Sequence, residues 1–185
     1  MGNKTDRQKI SNLISLADCI SPDGKYTTEI HTASDGYSYF KQVYSYKPEL
    51  FEAVIENKIR GFSISDSVKP LSTEAVYTTR GHEFHNMVLE LDKRFHDFER
   101  PVKIERDREK MYEVKAKDEL NHSCSLFFDQ NTGLLTALQI QNPGDVHEVL
   151  NIKFSNWKKI QGLLMPCKVT IDQSGKVYSF NFTKL

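Results

Sequence analysis

A chain of 185 residues with 38% hydrophobic and 27% charged residues holds enough apolar material for one core and too much for a disordered segment. Its 25 basic residues balance 25 acidic ones, so no net field draws nucleic acid, and nucleic-acid binding is not expected. Three cysteines, Cys19, Cys124 and Cys167, form no CxxC pair; neither a disulfide framework nor a ribbon-type zinc site follows, and each reads as a small core residue.

The start, MGNKTDRQK, lacks a signal-peptide core, so export would require a leader removed ahead of it. No run approaches the roughly 18 apolar residues of a membrane span, so no integral membrane segment is expected. With no linker or composition shift, 1–185 reads as a single domain.

In 5–20, Ile10, Leu13, Ile14, Ala17 and Ile20 recur at helical spacing, which predicts an amphipathic N-terminal helix. The turn chemistry of SPDGK (21–25) stops it. The pattern then changes to period two, and 25–64 reads as the first strands: Tyr26, Thr28 and Ile30, then YSYFKQVYSY (37–46), then 50–64, where Gly61 reads as a bulge or bend.

A helical segment is expected over 72–95, although MVLEL (87–91) would also make a strand. From 101 to 185 the chain reads as an antiparallel meander. Tyr112, Val114 and Ala116 share a face, as do Cys124, Leu126 and Phe128, then Val146, Glu148, Leu150, Ile152 and Phe154, then Leu163, Met165, Cys167, Val169 and Ile171. Short turn clusters separate them, too short for parallel crossovers. The fold class is α+β: a long, curved antiparallel sheet wrapped around its helices.

The segment RGHEFHNM (80–87) carries the chemistry most open to question. On a helix over 81–95, Phe84, Met87, Val88, Leu91 and Phe95 form a core stripe, and His82, His85, Asp92 and His96 share the adjacent arc. His82 and His85 are candidate metal ligands from adjacent turns. A catalytic zinc needs a third, and His31, His122 and His147 are equally placed to supply it. The spacing is not HExxH, and imidazoles packed at the core edge explain the pattern more simply. No GxSxG elbow, P-loop or GxGxxG is present, so no catalytic residue and no cofactor is expected.

The tail from Leu126 onward resembles the LolA-like lipoprotein-sorting family. The motifs are Phe127, Phe128 and Asp129 at a strand end, the TGLL turn at 132–135, Trp157, the Gly162 to Pro166 step, and the final hairpin at Gly175. The resemblance implies a half-barrel whose concave side is lidded by helices around a hydrophobic cavity. It also implies a periplasmic or otherwise exported location, and a lipid or lipoprotein acyl chain as partner. The first half corresponds only by topology, and no arginine matches the one that latches the carrier's lid.

The expected function is a non-catalytic binding domain for an apolar ligand. Tyr39, Phe40, Tyr44, Phe84 and Met87 are the candidate lining residues, chosen for the aromatic and aliphatic surplus near the helical segment. Two other readings stay open: a metal-binding protein or hydrolase using His82 and His85, and a scaffold presenting a sheet edge to a protein partner.

Overall fold

The structure is a computed structural model; it describes Arg7, residues 10–106 and residues 108–185, with the Val146 side chain left out. Among the described residues, fourteen strands and three short helices of four to eight residues follow in order. They are β1 Asn12–Ser21, β2 Gly24–Ala33, β3 Ser38–Tyr44, β4 Leu50–Glu56, β5 Arg60–Ile64 and β6 Val68–Pro70; then α1 Thr73–Arg80, α2 Phe84–Leu89 and α3 Leu91–Arg94. The second run is β7 Phe95–His96, β8 Val102–Arg106, β9 Glu109–Asp118, β10 Ser123–Asp129, β11 Leu135–Asn142, β12 Asp145–Ile160, β13 Leu163–Gln173 and β14 Lys176–Lys184.

All these strands join one antiparallel sheet in the order β6-β5-β4-β3-β2-β1-β14-β13-β12-β11-β10-β9-β7, with β8 also paired to β9. The first and last strands meet in the middle, where Cys19 lies opposite Phe180. The sheet is not closed into a barrel, and its inner face is covered by α1, α2 and α3.

The expected helix over 5–20 is corrected for its described part: Asn12 to Ser21 is a strand. Residues 5, 6, 8 and 9 lie outside the described residues. Ser15, Ala17, Cys19 and Ser21 alternate inward and are buried, while Ile14 and Ile20 point out, half exposed. The small inward residues carry a weak apolar signal, whereas Ile14 and Ile20 mimic a helical stripe. Pairing decides the outcome: β1 runs in register with β2 from Asn12↔Ala33 to Ser21↔Gly24, and its other edge pairs with β14. Ladders on both edges override local helical preference.

Two glycines mark where the strands come close to something else. Gly24 has φ +146°, and a Cβ there would sit 2.7 Å from the Tyr46 ring, so the β1–β2 turn needs the bare backbone. Gly61 is not a bulge or bend: it lies within β5, and the turn sits at Asn57 and Lys58, both with positive φ. A Cβ at Gly61 would come within 3.0 Å of Val76 and Leu71, so it lets α1 approach the sheet.

The helical segment is helical as expected, but in three pieces. Ser72 caps α1 by accepting from the Ala75 amide at 3.2 Å, Glu74 sits in the first turn and Arg80 in the last. The chain turns at 81–83 and breaks again at Glu90. Val76 packs with Ile30, Phe40 and Ile55, while Phe84, Met87 and Val88 join the main core of Leu126, Leu138, Ile152 and Phe180. Full burial of such a side chain contributes about 1.5–3 kcal/mol. The second-half meander appears where the alternation placed it, with Leu163, Met165, Cys167, Val169 and Ile171 all buried.

Candidate functional site

Between α1–α2 and the inner face of β11 to β14 lies a cavity of about 220 Å³. Its apolar wall is Met87, Ile140, Leu150, Ile152, Ile171 and Phe180. Its polar part includes Gln141, Asn142 and Gln173, and the first and last of these belong to strands that face each other across β12. Glu148 organises this side: its carboxylate accepts from Asn142 Nδ2 at 2.7 Å, Gln173 Nε2 at 2.7 Å and Ser174 Oγ at 2.7 Å. Those donors hold its carboxyl below the usual range, Asn142 contributing most.

Arg80 and Arg94 also line the cavity, and both are nearly wholly buried. Neither presents a bare charge. Arg80 Nη2 donates to Glu119 at 3.0 Å, and its Nη1 donates to the Lys58 carbonyl at 3.1 Å. Arg94 Nη1 donates to Glu83 Oε2 at 2.8 Å, its Nη2 donates to the Arg80 carbonyl at 2.8 Å, and its Nε lies 3.4 Å from Glu119. Glu83 also accepts from Ser38 Oγ on β3. Two cations and two carboxylates thus tie the α1–α2 turn to the chain before β7, to β3 and to the β9–β10 turn. Burial makes the set costly to break, because removing one partner strands a charge in a low-dielectric site.

Of the five expected lining residues, Met87 borders the cavity. Phe84 is beneath it, its ring 4.9 Å from Phe180 and 6.3 Å from Phe182. Phe40 is buried under α1, and Tyr44 packs against Tyr26 at 5.6 Å. Tyr39 is on the opposite face from Phe40, its hydroxyl donating to Glu52 and its ring 5.4 Å from His31.

The two motif histidines diverge. His82, in the turn, has Nδ1 3.1 Å from the Thr78 carbonyl and its ring against Phe84 and Phe180. His85 donates from Nε2 to the Pro166 carbonyl at 3.0 Å and lies edge-on to Phe182. Burial lowers both below the ordinary imidazole value, His85 to about 4, and the backbone hydrogen bonds only partly oppose it. His31 pairs with Glu29, His122 lies 3.6 Å from Asp118, and His147 is exposed near the start of β12. Among the described residues, no three His, Cys, Asp or Glu side chains gather in a way that could hold a metal ion. The Cys19 and Cys124 thiols are pushed up to about 12 by burial, as suits packing residues.

The cavity wall from β11 to β14 escaped the sequence reading. Alternation showed that Leu150, Ile152 and Ile171 face inward, but not which stretch of that face stays uncovered. The Arg80–Glu83 spacing was the only hint of the ion cluster.

This architecture defines a class. Solved structures that align over nearly the whole chain share it, and the chain has the LolA-like fold, a curved antiparallel sheet holding helices on its inner side. One is a LolA superfamily protein from Nitrosomonas europaea, with a TM-score of 0.64 and 13% identity over 98% of this chain and 90% of that one. Another is described as an outer membrane lipoprotein-sorting protein domain from Vibrio parahaemolyticus, with a TM-score of 0.63 and 8% identity over 98% and 87%. A third is a DUF1329 family protein from Desulfovibrio piger, with a TM-score of 0.60 and 11% identity over 97% and 87%. No protein-family model matches the sequence, and no curated protein matches it. At these identities the likeness is one of fold. Among the described residues, no helix is long and apolar enough to cross a membrane.

Proposed function

We propose that this chain is an exported, non-catalytic binding domain whose cavity takes an apolar ligand, with an acyl chain as the leading candidate. The carrying observation is the cavity itself: a partly open, mainly apolar space against Met87, Ile152, Ile171 and Phe180, side chains of the main core. Close packing is the rule for protein interiors, so retained apolar space is a feature to be explained. The lipoprotein-sorting description of the Vibrio structure supports acyl chains as the ligand class.

Size sets a condition on this reading. A volume of about 220 Å³ exceeds the engineered apolar cavity of about 150 Å³ that admits benzene, and falls short of the roughly 300 Å³ at which drug-sized pockets begin. The space therefore admits the end of a chain, and a whole acyl chain enters only when α1 and α2 shift away from the sheet. The ion cluster of Arg80, Glu83, Arg94 and Glu119 is the attachment that such a shift disturbs.

Native mass spectrometry of the purified protein beside its denatured mass tests the proposal. An extra mass that denaturation releases, identified as a lipid, supports it. Failure of a fluorescent fatty-acid probe to bind delipidated protein, with no released mass, overturns it.

A further inference from the structure

A second concavity lies on the outer face of the sheet, away from the helices. Leu126 and Leu138 point to the core, so their neighbours Phe127 and Ala137 point outward; Ala137 lies opposite Lys153, and Lys153 opposite Thr170. Ser155 and Lys168 are opposed one step along. Ala137, Ser155 and Thr170 make a floor of small side chains. The β8–β9 hairpin overhangs one side, with the Arg106 guanidinium 4.9 Å from the centre of the Phe127 ring. The resulting groove measures about 960 Å³.

Five cations line it: Arg106, Arg108, Lys110, Lys153 and Lys168. Among the described residues, the acidic lining is Glu109 and Asp129. Asp129 is committed to its own turn, accepting from the Asn131 amide at 3.1 Å, the Thr132 amide at 2.7 Å and the Thr132 hydroxyl at 2.7 Å. Among the described residues, no carboxylate lies within ion-pair distance of Arg108, Lys110 or Lys168. Trp157 lines the same groove, and its indole N–H, a donor only, is buried without an acceptor among the described residues. A chain with zero net charge has concentrated positive charge in one concave place, with Arg108, Lys110 and Lys168 unpaired with any described carboxylate.

From this convergence we infer that the outer groove between the β8–β9 hairpin and β12–β13 binds a phosphate-bearing ligand. Guanidinium, ammonium and hydroxyl groups around a small-residue floor suit the several acceptor oxygens of a phosphate, with Arg108 and Lys168 approaching from opposite sides. The site is separate from the apolar cavity and does not depend on what that cavity holds.

The test titrates inorganic pyrophosphate into the full chain at low ionic strength by calorimetry. In parallel, the protein is sedimented with vesicles of phosphatidylcholine alone and of equimolar phosphatidylcholine and phosphatidylglycerol. Saturable binding that weakens as salt rises supports the inference. In Arg108→Glu with Lys168→Glu it should weaken by about tenfold or more. The milder Arg108→Gln with Lys168→Gln serves if the reversal disturbs folding, which circular dichroism reports. Binding to pyrophosphate alone identifies a free phosphate compound as the ligand; binding to the phosphatidylglycerol vesicles alone identifies a lipid headgroup. Absence of binding in both arms overturns the inference, as does binding that the double variants leave unchanged. Pyrophosphate binding that survives Leu150→Trp separates this site from the apolar cavity.

Discussion

The His85 imidazole donates a hydrogen bond to the Pro166 carbonyl at 3.0 Å, linking α2 to β13 across 81 positions of sequence. The acceptor requires the proton on Nε2, and the ring is almost wholly buried. The same burial that makes this link dry makes a second proton on the ring costly.

This link predicts a pH dependence. The folded pKa of His85 is lowered to about 4 from an unfolded value near 6.5, so below that value the unfolded chain binds more protons. Stability is fully present above about pH 6.5 and falls as pH drops towards about 4, by about 3 kcal/mol in total. Urea denaturation across this range should show the slope, and His85→Asn should reduce it. A wild-type curve flat across the window, after carboxylate effects are subtracted with the variant, contradicts the assignment.

The ion cluster predicts strong coupling. Arg94→Met leaves Glu83 with Ser38 and a distant Arg80, and should cost about 3–5 kcal/mol. Arg94→Met combined with Glu83→Leu removes both charges and should cost less than the two single changes together. Denaturation midpoints for the four proteins measure this coupling; simple additivity would show that the pair does not act as a unit.

Filling the cavity should impair ligand binding and leave the fold intact. Leu150 is only partly buried and borders the space from the sheet side. Leu150→Trp places a large ring there and should weaken a fluorescent acyl probe by about tenfold, or about 1.4 kcal/mol. Unchanged affinity with an unchanged circular dichroism spectrum would place the probe elsewhere.

The β1–β2 turn offers a test of close approach. Gly24→Ala combines an unfavourable φ with a Cβ driven into the Tyr46 ring, and should destabilise the protein by about 1–3 kcal/mol. Placed on Tyr46→Ala, the same change should cost less, because only the backbone strain remains. Thermal unfolding of the pair separates the two contributions.

Much of the architecture was legible in local pattern. Val114 and Ala116, Leu126, Ile152, and Met165 to Ile171 recur at period two between turn residues, and a short turn leaves antiparallel pairing as the available connection. The helical spacing of Phe84, Met87 and Val88 was present beside a strand alternative for MVLEL, and the burial of all three against the sheet in α2 decides for the helix. By contrast β1 was misread, because Ser15, Ala17 and Cys19 give little apolar signal and their inward orientation is set by partners at positions 24–33 and 179–184.

The candidate sites show the same division. His82 and His85 are near neighbours in sequence, yet the turn at 81–83 and the separate acceptors at Thr78 and Pro166 send their rings to different places. Tyr39 and Phe40 are adjacent and aromatic, and the pleat puts them on opposite faces of the sheet. Sequence by itself determined the alternating strands, the helical cover and the neutral overall charge, because these depend on spacing and composition along the chain. The tertiary structure alone decided which part of the inner face stays uncovered, which arginines share two carboxylates, and where the outer cations converge. Those depend on distances between strands far apart in sequence, which no local pattern encodes.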